Sequence, residues 1–202
     1  MSGRDSMLSQ RNKYRGYMFI LRYLVPLVLA TTSAVAYFLV ISMPWIEVSG
    51  AVNALVSPSS TYIVYMGYNM VHLGLDAAMD LARYLGFLVI AVNILLGLTH
   101  LPMISHRARA SVAYTAIVVS FIYSFVIVPN IYNRVLGMLR GLGLLGSTQL
   151  SIDAGSGLVI LGSLEVIRYN PHMVAQAAFL FTFVSVGYVF WELYVMETSR
   201  ME

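Results

Sequence analysis

Four long apolar stretches constrain this chain most, because a bilayer is the solvent that accommodates them cheaply. Residues 17–43, 84–103, 112–129 and 173–196 approach or exceed the roughly 20 residues that a membrane-spanning helix needs. Hydrophobic residues make up 59% of the 202 residues and charged residues 10%, against about 25% charged in soluble domains. The sequence therefore predicts an all-α membrane protein, a single four-helix transmembrane bundle over residues 1–202. This composition excludes an ordinary soluble domain, a disordered chain and a nucleic-acid-binding protein.

The distribution of Lys and Arg predicts how the spans are oriented. Positive residues are enriched in cytoplasmic loops. The two terminal segments, the turn at 104–111 and Arg22, which we count with the N-terminal tail, hold eight of them, whereas the segments 44–83 and 130–172 hold four. We predict a multi-pass plasma-membrane protein with both termini in the cytoplasm. Arg22 interrupts the first apolar stretch, which favours a retained helix over a cleaved signal peptide.

The two segments predicted to lie outside the membrane contain strand patterns. Residues 45–49 and 61–65 alternate with period two, and residues 149–153 and 158–169 form a hairpin pattern across 154–157. We predict a small extracellular cap, an antiparallel sheet of three or four strands that joins both segments. The residues of this cap that we predict to form an interface are Trp45, Tyr62, Tyr65, Leu158 and Ile160.

The second and third helices are predicted to extend outward beyond the lipid. His72, Asp76, Asp80 and Arg83 recur at spacings of four, four and three, which places them on one helix face. The second helix would then begin near residue 69, and the third would continue past a kink at Pro129 to about residue 145.

Counting residues outward from the inner turn brings acids level with arginines on these two helices. We predict ion pairs between Asp80 and Arg134 and between Asp76 and Arg140, or between the same partners shifted by one helical turn. The alternative is a divalent-cation site made of His72, Asp76 and Asp80, with Glu165 or Glu47 as a further ligand. Neutralisation by the two arginines is the simpler interpretation, and no metal is predicted.

The four histidines fall at two levels of the predicted bundle. His72 and His172 lie near the outer face, and His100 and His106 near the inner face. Small membrane cytochromes hold haem between paired histidines, so these residues are the candidate haem ligands. The alternative is that they are interfacial residues that bond to backbone or lipid headgroups. We therefore predict no cofactor.

Polar residues at depth in the spans are few. Asn93 is the main one, and the hydroxyl residues that accompany it are Thr115, Ser120, Ser124, Thr182 and Ser185. We predict that Asn93 and these hydroxyls tie helices together. Arg22 and Glu192 are expected at the inner rim, with their charged groups reaching the interface. The scarcity of charge argues against a proton pump, an ion-coupled transporter or an intramembrane protease.

The overall plan resembles the tetraspan architecture of claudins and peripheral myelin proteins. The resemblance rests on four spans, cytoplasmic termini, a strand-bearing first outer loop that opens with Trp45, and an extended third helix. It implies lateral self-assembly or binding of a membrane-protein partner through the outer sheet, without catalysis. No catalytic motif is present, and the chain has no cysteine. The alternatives are a small haem- or quinone-binding subunit of a redox complex, and a channel or transporter component.

Overall fold

A computed structural model describes most of the chain between Tyr23 and Thr198. The described backbone comprises residues 23–50, 52–65, 68–69, 73–100, 104–141, 149–153 and 158–198. Side chains are described for the same residues except 65, 68, 73, 149–153, 158–165 and 196–198. Arg22, His72 and the turn at 154–157 therefore lie outside the described residues.

Four long helices make up most of the structure, and each is long and apolar enough to cross a membrane. The third of them is interrupted by a π-helical turn, so that it is described as α3, the turn and α4. The segments are α1 (Val25–Ser42), α2 (Leu73–Leu98), α3 (His106–Ile122), the π-helical turn (Tyr123–Ile127), α4 (Val128–Gly141) and α5 (Pro171–Thr198). The prediction of four helices able to span a bilayer is confirmed.

The third long helix runs from His106 to Gly141 through the π-helical turn. Pro129, the residue at which we expected a kink, is the second residue of α4. A proline has no N–H to give to the preceding turn, and a π-helical turn is one way to accommodate an irregular hydrogen-bond ladder. The helix thus continues past Pro129, as predicted, to Gly141.

The strands form one antiparallel sheet of six strands in the order β4-β3-β2-β1-β6-β5. Their bounds are β1 (Ile46–Gly50), β2 (Val52–Val56), β3 (Thr61–Tyr65), β4 (Tyr68–Asn69), β5 (Gln149–Asp153) and β6 (Leu158–Arg168). The pairing of β1 with β6 joins the two segments into one sheet, as predicted. The β5–β6 hairpin is also confirmed, with an irregularity between Leu150 and Ser151. The predicted strand number was too low, because β2 and β4 were missed.

The chain divides into two compact units, which are described separately. The helix unit comprises Met1–Val35, Val89–Ser120 and Ala177–Glu202. The sheet unit comprises Ala36–Leu88 and Phe121–Gln176.

The core of the sheet unit contains the inner face of the first strands. Ile46, Val48, Val56 and Ala54 are at most 2% exposed, and the residues between them on β1 and β2 are more exposed. This alternation is the period of a strand with one buried face. Gly50 closes the β1–β2 turn with a φ of 129°, a conformation that side-chain-bearing residues rarely adopt.

Trp45 lies in the sheet unit core rather than at an interface. Its side chain is fully buried and its indole N–H donates to the carbonyl of Val40 at 2.9 Å. Its ring packs 6.2 Å from that of Tyr132. A large aromatic side chain whose N–H is satisfied gains most from full burial, so the prediction of Trp45 as an interface residue was wrong.

Gly86 marks a close approach of helices in the sheet unit. A Cβ at this position would lie 2.7 Å from Cγ1 and Cδ1 of Ile41 and from the hydroxyl of Tyr123. We expect Gly86→Ala to lower the free energy of unfolding by about 1–3 kcal/mol, because the packed neighbours must shift. Thermal unfolding in lipid nanodiscs measures this.

Gly137→Ala is the matched control for Gly86→Ala. Among the residues that the structure describes, no heavy atom lies within 4 Å of a Cβ placed at Gly137. The control should leave stability unchanged or raise it by up to about 1 kcal/mol, since alanine favours the helix. Equal effects of both substitutions would contradict the close approach at Gly86.

Candidate functional site

A chain of side-chain hydrogen bonds links four helical segments inside the helix unit. Thr182 of α5 donates to Oδ1 of Asn93 of α2 at 2.7 Å, and Nδ2 of Asn93 donates to Ser120 of α3 at 3.1 Å. The hydroxyl of Ser33 in α1 lies 2.7 Å from that of Thr182. All four residues are fully buried. The prediction that Asn93 ties helices together with Ser120 and Thr182 is confirmed; we name these four residues the Asn93 network.

The other predicted hydroxyl residues have different partners. Ser185 donates to the carbonyl of Pro26 at 3.1 Å, which adds a contact between α5 and α1 in the helix unit. Thr115 is exposed and donates to Ser111 of its own helix. Ser124 belongs to the sheet unit, where it donates to the carbonyl of Ala175 and lies 2.9 Å from the hydroxyl of Tyr37.

A buried cluster of ionisable side chains also lies in the helix unit. Arg109, Glu192 and His100 are at most 4% exposed. Nη1 of Arg109 lies 3.5 Å from Oε2 of Glu192, and Nδ1 of His100 lies 3.9 Å from the same oxygen. Glu192 was expected at the membrane rim and Arg109 was counted as a charge of the inner turn. The expectation that the Glu192 carboxylate reaches the interface is wrong, because it is buried beside Arg109. Arg109 does lie within residues 104–111, where it was counted, but its side chain is buried.

Local structure fixes the position of each member of this cluster. α2 ends at Leu98, and His100 follows in the turn, in which Thr99 donates to the carbonyl of Leu96 at 2.6 Å. Arg109 lies in the first turn of α3 and its Nε donates to the carbonyl of Ile104 at 3.1 Å. Glu192 projects from α5. Three segments distant in sequence thus bring two opposite charges and an imidazole together.

The imidazole of His100 is the chemically unusual member of the cluster. Within the described residues, neither Nδ1 nor Nε2 makes a hydrogen bond. A buried polar atom without a partner is costly and rare in native proteins. Its ring nitrogens can donate or accept hydrogen bonds, and Nδ1 lies 3.9 Å from Oε2 of Glu192.

The predicted acid–arginine pairs between the second and third helices are not what the structure shows. Asp80 pairs with Arg83, three residues later in α2, at 2.5 Å between Oδ1 and Nη2. Arg134 is exposed. Within the described side chains, no ion pair joins Asp80 to Arg134 or Asp76 to Arg140. An ion pair within one helix does not depend on how two helices are positioned relative to each other, so it forms more readily.

Among the described residues, the candidate haem and metal ligands do not come together into a site. His106 is exposed at the start of α3, and His172 packs edge-on against Tyr132 at 4.7 Å in the sheet unit. Asp76 and Asp80 are partly exposed in α2. No group of three His, Asp or Glu residues suited to a metal occurs among the described residues.

One row of side chains crosses the outward face of the sheet. Tyr62 pairs with Leu55, Leu55 with Glu47, and Glu47 with Ile167. Directly paired residues of antiparallel strands share a face, and Tyr62 and Ile167 are 48% and 42% exposed. We name these four residues the outer row. Leu55, Glu47 and Ile167 were not among the predicted interface residues, because strand register is not visible in one sequence. Tyr65 lies on β3, and Leu158 and Ile160 lie on β6, with side chains outside the described set.

Comparison with models of protein families and with curated proteins gave no match. The class that the structure defines is a mostly helical protein with four helices able to span a membrane and a small antiparallel sheet.

The Asn93 network generates a stability prediction. Asn93→Leu keeps the side-chain size but removes the amide to which both Ser120 and Thr182 bond, so we expect a loss of about 0.5–2 kcal/mol of unfolding free energy in lipid. Thr115→Val is the matched control, because the hydroxyl of exposed Thr115 bonds only to its own helix among the described contacts. A leucine variant as stable as the control would contradict a structural role for the network.

Proposed function

We propose that this chain is a non-catalytic multi-pass membrane protein that assembles with a second copy of itself through its sheet. The single observation that carries the proposal is the outer row, in which two large apolar side chains stand 42–48% exposed on one sheet face. Leu55 and Glu47, between them, are partly exposed. Isolated exposed apolar residues are common, whereas here Tyr62 and Leu55 are neighbours on adjacent strands and Ile167 lies at the other end of the same row, a grouping that suits an interaction surface.

A second copy is the favoured partner because a symmetric contact needs only one surface. In a two-fold dimer the same patch faces itself, so apolar residues meet apolar residues. Glu47 lies in the middle of the row, between Leu55 and Ile167, where its charge disfavours partners that would bring another negative charge against it. Aromatic residues such as Tyr62 are enriched at such contacts.

The membrane orientation is part of the same proposal. We propose that the four helices cross the plasma membrane, with both termini in the cytoplasm and the sheet outside. The support is the eight-to-four distribution of Lys and Arg between the two sets of segments. In that orientation the outer row is available to a neighbouring molecule in the same membrane.

The alternatives have less support from the described residues. A haem-binding subunit needs two histidines facing one haem, but His106 is exposed and His172 packs on Tyr132. A channel or transporter component would use polar groups along a path. The hydrogen bonds of the Asn93 network instead join side chains of different helices to one another.

Substitution within the outer row tests assembly. We expect wild-type protein to be a dimer in nanodiscs or mild detergent, and Leu55→Arg to weaken the dimer at least about tenfold, ~1.4 kcal/mol, because the contact would have to bury a guanidinium group in place of an apolar side chain. Native mass spectrometry and single-molecule photobleaching measure the stoichiometry.

Ser60→Arg is the control for the row, since Ser60 is exposed in the turn before β3 and outside the row. It should leave the dimer intact. A monomeric wild-type protein would contradict self-assembly. A dimer equally unaffected by both substitutions would contradict the role of the row. Co-purification of a different membrane protein, lost in Leu55→Arg, would replace the second copy with that partner.

Membrane orientation has its own test, because the chain has no cysteine and single thiols can be introduced. Ser60 and Ala108 are both exposed in the structure. In intact cells we expect an impermeant maleimide to label Ser60→Cys but to label Ala108→Cys only after permeabilisation. Labelling of both from outside, or the reverse pattern, would contradict the orientation.

A further inference from the structure

We propose that the edge strand β5 pairs with β5 of a second copy of this chain, as antiparallel strands related by a two-fold axis. β5 is one end of the strand order, and β6 is its single neighbour among the described strands. The pairing would make one continuous sheet across two molecules. It goes beyond the contact proposed above, because no residue of the outer row lies on β5.

The two edges of the sheet differ in how open they are to another strand. An edge strand presents a row of backbone N–H and C=O groups that a further strand can bind, and proteins protect such edges with short strands, proline, lysine or bulges. The edge strand β4 has only two residues, Tyr68–Asn69. β5 has five residues without proline or lysine, and its one charged residue, Asp153, is the last. β5 is therefore the edge that can accept a partner.

The irregularity in the β5–β6 hairpin leaves the free edge of β5 continuous. Leu150 pairs with Gly162 and Ser151 with Ile160, so the extra residue, Leu161, belongs to β6. A bulge bends the strand that carries the additional residue and can turn an edge away from other strands. Because β5 does not carry it, all five of its residues remain in one register for a further strand.

The sequence of β5 points to a second copy as the partner, because its residue types are symmetric about Ser151. In an antiparallel pair centred on Ser151, Leu150 lies opposite Ile152 of the second copy, and Gln149 lies opposite Asp153. Apolar residues then meet apolar residues, an amide meets a carboxylate, and the two carboxylates stand at opposite ends, so that no like charges oppose each other. A shift by two residues in either direction would leave only about three residues paired. A strand that binds a different protein needs no such symmetry.

The pairing of two five-residue strands is a weak contact. It buries much less than the roughly 1,000 Å² that a stable interface needs. It therefore forms where copies are concentrated in a membrane, and it dissociates in dilute detergent. The dimer expected in mild detergent depends on the outer row, whereas the contact through β5 adds to it in the native membrane.

A single thiol on the two-fold axis tests the pairing, because the full-length chain has no cysteine of its own. Directly opposed residues of antiparallel strands have Cα atoms about 4.5–5.5 Å apart, which is within the range of a disulfide. We expect Ser151→Cys, oxidised mildly in native membranes, to form a covalent dimer on a non-reducing gel. Absence of this dimer overturns the proposal.

Gln149→Cys and Asp153→Cys are the matched controls, since each lies two residues from the axis. Either thiol alone would be about 14 Å from its own copy in the partner, so we expect a cross-linked fraction at least about fivefold below that of Ser151→Cys. Co-expression of the two variants with different tags should restore cross-linking, because residue 149 of one copy lies opposite residue 153 of the other. Equal cross-linking of all three single variants, or no gain on co-expression, overturns the proposed register.

Adding Leu55→Arg separates this contact from the outer row. In native membranes, Ser151→Cys should cross-link to the same extent with and without Leu55→Arg, even if the detergent dimer is lost. Retained cross-linking supports the contact through β5 whether or not the outer row forms an interface. Loss of cross-linking in the double variant overturns a contact separate from the outer row, and a covalent adduct with a different protein in place of the dimer overturns self-pairing.

Discussion

Every polar group carried into an apolar interior needs a partner from the protein itself, and the helix unit is organised by this constraint. In lipid, association of helices gains little from the hydrophobic effect, so packing and hydrogen bonds between helices become decisive. Ser33, Asn93, Ser120 and Thr182 meet the constraint by bonding to one another across α1, α2, α3 and α5. A change of register in any one of these helices would leave buried polar atoms without partners. Small residues between the polar positions, such as Ala30, Ala113 and Ala116, are fully buried and let the helices approach.

The sheet unit satisfies the same constraint mostly with bonds from side chains to the backbone. Tyr123 donates to the carbonyl of Ala82, and Trp45 to that of Val40. Both are bulky aromatic residues that gain from burial once the polar atom is satisfied. Tyr123 opens the π-helical turn, and its hydroxyl lies against Gly86, where a side chain would intrude. The π-helical turn and Gly86 together let the hydroxyl of Tyr123 lie against α2.

The structural features that could be predicted are those that depend on residue patterns within one stretch of the sequence. Span length, the β5–β6 hairpin and the role of Asn93 follow from hydropathy, alternation and the scarcity of polar residues at depth. The pairing of Asp80 with Arg134 failed because counting residues assumes a continuous α-helix. The π-helical turn changes the register beyond Tyr123, since each residue of an α-helix turns by about 100°. Burial of Glu192 and Arg109 was missed because each looks like a rim charge by itself. Only the fold brings residues 109 and 192 together.

Buried polar side chains hold these apolar helices in one register, and the absence of cysteine allows a direct test by introduced thiols. The hydroxyls of Ser33 and Thr182 are 2.7 Å apart, so thiols at these positions are close enough to form a disulfide with little backbone movement. In native membranes, a Ser33→Cys/Thr182→Cys double variant should form an intramolecular disulfide nearly completely under mild oxidation. A Thr31→Cys/Thr182→Cys control, with the first thiol exposed, should not. Failure of the first pair to cross-link, or equal cross-linking of both pairs, would contradict the account.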